Sequence, residues 1–458
     1  MPIQDATFLL AEAREKPMHV GGLQVFDLPE HAGEDWVTDR YQQALDTPEV
    51  MSRLARRPVR GVGTAGAWAW EHDQNLDLSH HVRHSALPHP HRIRELLALV
   101  SRLHGTMLHR SRPLWEAHFI EGVEQRQFAV YTKIHHALVD GVSAMKMLER
   151  SLSVDPDERG MPPAFAPHAR PPRPPRAGAN PLEMVQSAVG GAVDGAQALS
   201  SASIAGLRKV LRAFGEEATA LPFQAPKTIF NVPITGARRV AADRWPLPRI
   251  KAAAKGLDVT LNDIVLAMSS GALRTYLLEQ DALPDDSLVS AVPVSLHQAG
   301  EDGESGNAVG IILCRLGTNL ADPAQRLAMI RRSMEQGKGT FAGLPPLAVM
   351  LLSALDFGPA GLTPLLKVQP LQRTPFNLVI SNVPGPARPL YFDGARMTGH
   401  YPLSIPYDGQ AMNITVTSYD DHLNFGLVGC RQRVPSLQRL LLHLETALLE
   451  LEALAGIE

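Results

Sequence analysis

Apolar side chains recur at Phe128, Val130 and Ile134, the period of two expected of a half-buried strand. Downstream the period lengthens, with Ala144, Met147, Leu148 and Leu152 at helical spacing, so strand passes into helix across Ile134–Val142. This pattern sets His136 on the inward parity of Phe128 and Val130. It sets His135 with Ala129, Tyr131 and Lys133 on the opposite side. Asp140 stands near the N-cap position of the helix, and Gly141 suits a tight turn.

Elsewhere the same patterning predicts strands at Lys227–Asn231, Leu288–Leu296, Gly310–Leu316 and Phe376–Ile380. Met412–Tyr419 and Leu423–Val428, joined at Asp420-Asp421-His422, read as a hairpin. A helix begins near Thr260, where Thr260-Leu-Asn-Asp263 has capping-box spacing. A terminal helix presents Leu437, Leu440, Leu441, Leu444, Leu448 and Leu451 to a core. Strands interleaved with helices in both halves predict two α/β domains. A chain of 458 residues also exceeds what one hydrophobic core usually supports. The break between them follows Asp155: Pro162 to Pro181 holds eight prolines, three arginines and no acidic residue, a composition that excludes continuous helix or strand. Glu183 to Phe214, rich in Ala, Gly and Ser, reads as helical pieces. The expected organisation is an N-terminal domain at 1–155, a linker at 156–225 and a C-terminal domain at 226–458.

Composition removes some function classes. A formal net charge of −3 implies no polyanion-binding surface, and nucleic acid is not an expected partner. Cys314 and Cys430 lie far apart in a chain without a signal peptide at its Met-Pro-Ile-Gln-Asp start, which fits a reducing cytosol. The longest uncharged run, Gly339 to Leu355, contains Pro345 and Pro346 and is a poor membrane span. Leu347–Leu352 and Leu362–Leu366 read as core, with lipid contact as the alternative. Arg170, Arg173 and Arg176 read as solvated linker charge; anionic headgroups or coenzyme A phosphates are the alternative.

Three readings compete for the histidine pair. One is a buried histidine with an ordinary hydrogen bond. Another is a metal site, but zinc takes three protein ligands in a definite geometry and no third ligand is visible nearby. The third is a general base, since an imidazole titrates close enough to neutrality to take a proton from an alcohol or thiol. Asp263 reads as a cap. Asn262, an amide at a helix N-terminus, is placed to aim a donor at a carbonyl or anionic oxygen. Pro384 and Pro386 flank Gly385 in a dense turn signal.

Together His135, His136, Asp140 and Gly141 form an HHxxxDG signature, which resembles that of the coenzyme-A-dependent acyltransferase superfamily. Further segments resemble the bacterial wax ester synthase/diacylglycerol acyltransferase group: Pro113-Leu-Trp115 its PLW element, Asn262-Asp263 its ND element, and Asn382-Val-Pro-Gly-Pro386 its NVPGP element. The segment from Gly409 through Ser418-Tyr419 to Gly426 is similar to the group's C-terminal domain, and the DFGWG element of condensation domains is absent. The resemblance runs from about Pro17 to about Pro435. It implies two related acyltransferase-like domains of mixed sheets and helices, with a tunnel at their interface. It also implies acyl transfer from a long-chain acyl-coenzyme A to a fatty alcohol or diacylglycerol, with coenzyme A entering as part of a substrate and no cofactor or metal. His136 is then the general base, His135 a supporting residue and Asp140 an arginine-paired scaffold of the loop. Asn262 is an active-site residue, while Gly141, Asp263, Pro384 and Gly385 are structural near the site. The implied location is the cytoplasm, with peripheral attachment to the inner membrane face or lipid inclusions. Two alternatives use the same signature differently: a condensation-type acyltransferase with a carrier-tethered donor, and a non-catalytic lipid-surface protein. A metal hydrolase is a further one.

Overall fold

A computed structural model describes residues 1–124, 126–139, 141–167, 223–295, 309–341, 349 and 373–457. The chain opens with α1 (Ile3–Ala11), β1 (His19–Asp27) and α2 (Trp36–Leu45), followed by a hairpin of β2 (Arg56–Val59) and β3 (Ala69–His72). Next come α3 (Leu78–His81), β4 (Val82–Ala86), α4 (Ile93–His104), β5 (Trp115–Val123), β6 (Gln127–His135) and α5 (Gly141–Glu149). The later part contains β7 (Ala225–Pro226), β8 (Arg238–Pro246), α6 (Leu247–Gly256), α7 (Leu261–Glu279), β9 (Val289–Ser295), β10 (Val309–Arg315) and α8 (Pro323–Phe341). It ends with β11 (Arg373–Thr374), β12 (Leu378–Val383), β13 (Tyr391–Phe392), β14 (Ala395–Leu403), β15 (Met412–Tyr419), β16 (His422–Cys430) and α9 (Arg439–Leu454).

Two compact units form. The first comprises Met1–His168, Val232–Lys251 and Asn382–Leu441. Its main sheet has the order β13-β14-β1-β6-β5-β4, in which β4 and β5 are parallel and the other long pairs antiparallel. The contiguous division at 155 and 226 is therefore corrected, because β14 from the C-terminal part pairs with β1 from Gly21↔Leu403 to Asp27↔Arg396. Proline-rich composition marks where the chain cannot be regular; it carries no information about which strands pair. The first unit also holds an antiparallel ladder of β8, β16 and β15. The hairpin turn expected at Asp420-Asp421-His422 is tighter than that, with His422 already pairing with Tyr419.

Both faces of the main sheet are covered. Phe128 and Ile134 pack with Val37 and Ala44 of α2 and with Ala144 and Met147 of α5. Ala129 and Tyr131 pack with Leu96 and Val100 of α4. The half-buried character expected of β6 is corrected accordingly: its second face is a second core. Gly22 permits the approach of α5, since a Cβ there would lie 2.8 Å from the Leu148 Cδ1. The α4 side also carries a buried charge network. Lys133 donates to the carbonyls of Leu103 (3.0 Å) and Thr106 (2.9 Å) and sits 3.1 Å from Glu116. Burial would raise the Glu116 pKa, but His118, Lys133 and Arg83 override it and bring it to about 2.

The second unit comprises Ala169–Asn231, Ala252–Ser381 and Leu442–Glu458. Within it β9 pairs antiparallel with β10 and parallel with β12. Lys227–Asn231 is not a strand. Asn231 Oδ1 accepts the Thr228 amide at 3.2 Å and hydroxyl at 2.9 Å, local bonds that compete with ladder pairing. In the terminal helix Leu444, Leu448 and Leu451 are buried as its periodicity predicts. Arg170, Arg173, Arg176, the stretch from Glu183 to Phe214 and the Gly300–Asn307 connection lie outside the described residues. So do Leu362–Leu366 and all of Leu347–Leu352 except Val349.

Candidate active site

Strand β6 ends at His135, whose backbone amide donates to Leu114 O at 2.9 Å. His136 already lies in a turn, so strand alternation does not extend to it. The turn is closed by Leu138 donating to His135 O at 2.9 Å, and α5 starts beyond it at Gly141. Gly141 is exposed, and a Cβ there would meet nothing within 4 Å. Asp140 lies outside the described residues.

The two rings occupy different settings. His135 is wholly buried, and its Nδ1 accepts the Ala137 amide at 3.0 Å. The ring proton therefore sits on Nε2, which faces Glu12 Oε1 at 3.4 Å. Glu12, just past α1, also accepts the Met18 amide at 3.1 Å and a fork from Arg110, Nε at 3.1 Å and Nη2 at 3.0 Å. Burial pushes the Glu12 pKa up. His135, the Met18 amide and Arg110 outweigh it and hold the carboxyl below its ordinary value.

His136 is half-buried. Its amide donates to Met18 O at 2.8 Å, and its ring stacks on Phe8 at 4.2 Å between centroids with a 21° tilt. Phe8 and Glu12, four positions apart, thus hold the half-buried and the wholly buried histidine respectively. The expectation that His136 is the inward-facing ring is reversed: His135 is the deeper one. That arrangement suits a base reached by substrate with a fixed partner behind it.

Trp115 is core. Its indole donates to Leu54 O at 2.8 Å and the ring stacks on His81 at 4.6 Å. It also walls a cavity of about 40 Å³ with Ala117, Thr132, Ile134, Met147 and Leu148, between the strand that bears the histidines and the helix that follows them.

In the second unit, Thr260 and Asp263 form the expected box at the start of α7: Asp263 accepts the Thr260 amide at 3.0 Å and hydroxyl at 2.7 Å, and donates its own amide to Thr260 Oγ1 at 3.2 Å. Asn262, between them, is half-buried in the first turn. Pro384 and Gly385 follow β12 in the first unit. The Gly385 amide donates to Ser418 Oγ at 3.1 Å, and a Cβ there would lie 2.2 Å from Ser418 O. No larger residue fits that approach to β15.

Sequence reasoning missed Glu12, Arg110 and Phe8. Glu12 sits in Ala11-Glu-Ala-Arg-Glu15 beside another acid, and nothing in that run distinguishes it from a solvated charge.

Residues 1–265 match the wax ester synthase/diacylglycerol acyltransferase catalytic domain, and residues 305–452 the WS/DGAT C-terminal domain. The chain is 46% identical over 457 residues to a Mycobacterium tuberculosis protein named as a probable diacylglycerol O-acyltransferase, covering 99% of this chain and 98% of that one. It is 41% identical over 450 residues to the O-acyltransferase WSD of Acinetobacter baylyi, covering 96% and 94%. Among solved structures, the wax ester synthase/diacylglycerol acyltransferase of Marinobacter aquaeolei superposes with a TM-score of 0.78 at 41% identity, covering 100% of both chains. The starter condensation domain of rhizomide synthetase shares the fold at a TM-score of 0.56 and 13% identity, covering 100% of this chain and 94% of that one.

Proposed function

Because this chain belongs to the wax ester synthase/diacylglycerol acyltransferase family, we propose that His136 is the general base of an acyl transfer from coenzyme A to a lipid hydroxyl. The chain is an acyl-coenzyme-A-dependent O-acyltransferase. The donor is a long-chain acyl thioester; the acceptor is a fatty alcohol or diacylglycerol, giving a wax ester or triacylglycerol. His136 takes the hydroxyl proton as the oxygen attacks the thioester carbonyl carbon. The tetrahedral adduct collapses with loss of the C–S bond, and the same proton passes to the departing thiolate, so the base is regenerated without an acyl-enzyme. Asn262 orients the acceptor or stabilises the oxyanion. Asp140 scaffolds the histidine loop, and Gly141, Asp263, Pro384 and Gly385 have structural roles near the site.

One observation carries the assignment to His136 over its neighbour. His136 is half-buried and pinned through its backbone amide to Met18 O, whereas His135 is wholly buried with Nδ1 occupied by Ala137 and Nε2 facing Glu12. Of the two rings, only that of His136 keeps solvent-exposed surface. The test is incubation with palmitoyl-coenzyme A and either hexadecanol or diacylglycerol, followed by lipid analysis, for the wild type and His136→Ala. Ester formed by the wild type and lost in the variant is expected.

A further inference from the structure

From Ser52 to Trp70 the chain holds four arginines (Arg53, Arg56, Arg57, Arg60), two tryptophans and no acidic residue, within a protein of net charge −3. This run is the β2–β3 hairpin, paired from Arg56↔His72 to Val59↔Ala69. Its tip, Gly61 to Ala67, consists of small or apolar residues apart from Thr64. The tip has a defined shape: Thr64 donates to Gly61 O at 3.2 Å, Ala65 to Val62 O at 3.0 Å, and Arg60 Nε to Gly66 O at 2.7 Å. That geometry leaves the Val62 side chain completely exposed, at 101% of its reference area.

A single exposed valine needs no explanation. An exposed valine at the apex of a cationic hairpin does, because the pairing of an apolar tip with flanking arginines matches an anionic lipid interface. Of the four arginines Arg57 is paired with Glu71, while Arg53, Arg56 and Arg60 are exposed, Arg60 flanking the tip, Arg56 at the open end of the ladder opposite His72 and Arg53 just before β2. On the returning side of the hairpin Trp68, next to the tip, and Trp70, opposite Pro58, are half-buried, amphipathic rings of the kind enriched at such interfaces. They pack on the cluster of Leu9, Leu108, Leu114 and Ala137, against which Phe8 also packs. Phe8 is the ring stacked on His136. The hairpin tryptophans and the ring stacked on the candidate base therefore share one wall, and Leu10 of α1, 57% exposed, adds apolar surface to that helix.

We propose that the β2–β3 hairpin docks this enzyme on an anionic lipid surface, with Val62 entering the boundary between headgroups and acyl chains and Arg53, Arg56 and Arg60 engaging lipid phosphates. The proposal rests on the functional reading above, in which acceptor and product are lipids that dissolve in such a phase. Docking brings the wall that carries His136 to the phase holding them.

The test is flotation of the full chain with vesicles of phosphatidylcholine alone or phosphatidylcholine mixed with phosphatidylglycerol. The wild type floats with the mixed vesicles and is released by salt, since surface attraction of this kind is screened. Arg56→Gln with Arg60→Gln lowers partitioning about fivefold per arginine, and Val62→Asp lowers it further. Both variants keep wild-type turnover with palmitoyl-coenzyme A and hexanol, while ester synthesis from vesicle-embedded diacylglycerol falls with the partitioning. Equal flotation of wild type and variants overturns the proposal, as does salt-insensitive binding to both vesicle types. A wild type that forms no ester from any donor, yet floats in a hairpin-dependent way, refutes the functional reading and leaves the docking element standing.

Discussion

At the start of α7, Thr260 and Asp263 bind each other through bonds of 2.7 to 3.2 Å that span three residues. At the turn after β6, His135 is fixed instead by Glu12 from the N-terminal segment, and Glu12 is in turn held by Arg110, 98 positions away. Both junctions precede or begin a helix and both carry motif residues, but one is organised locally and the other by tertiary contact. The difference predicts how each fails. Losing a local cap costs the helix one cap, whereas losing Glu12 leaves a half-buried arginine and a buried histidine without their shared partner.

The largest effect is expected at His136. In His136→Ala, turnover of palmitoyl-coenzyme A with hexadecanol falls by about 10² to 10⁴, while the melting temperature changes little because the ring is half-buried and its backbone amide bond to Met18 survives. Near wild-type turnover in that variant would sink the assignment of the base.

Glu12→Gln comes next and couples stability to activity. Because Arg110 keeps 32% of its side chain exposed, losing the pair costs less than the roughly 3 kcal/mol of a fully buried one, and kcat falls as the His135 ring loses its carboxylate. The pH dependence has a definite sign. The folded pKa of Glu12 lies below its ordinary 4.5, so its stabilising contribution is complete above 4.5 and is lost as pH falls through the depressed value. The gap in melting temperature between wild type and Glu12→Gln should be widest from pH 5 upward and close under acid. A gap that stays constant below pH 4.5 would show that the carboxylate charge is not what holds the turn.

The same contrast explains what could be read in advance. The strand, the helix after it and the capping box are local, and their residue periods and spacings state them. His135 and His136 were legible as a pair, but their relative depth was not, because it depends on Phe8 and Glu12 packing against them from the N-terminal segment and on His136 leaving the strand. Glu12 was invisible for the same reason: a buried carboxylate is distinguished from an exposed one by what packs over it. The β1–β14 ladder joins segments on opposite sides of the proline-rich stretch, so no boundary drawn from composition could have found it.

Asn262 and Asp263 are adjacent in sequence, and their variants are expected to separate rate from stability. Asn262→Ala should lower kcat about 10²-fold, the usual loss for an oxyanion donor, with an unchanged melt. Unchanged kinetics would retire Asn262 from the mechanism.

Asp263→Ala should do the reverse and least. It removes the acceptor of the Thr260 amide and hydroxyl, and loss of a cap costs about 1 kcal/mol. The cost stays this small because α7 retains its buried face, including Ile264, Val265, Leu266 and Met268, whatever happens at its first turn. A thermal melt reads that loss, and kcat should remain within a few-fold of wild type. If Asp263→Ala instead lost turnover as severely as His136→Ala while melting normally, the carboxylate would be acting on substrate. The box would then be an incidental partner, and the division between a locally held cap and a tertiary-held base would no longer describe the two junctions.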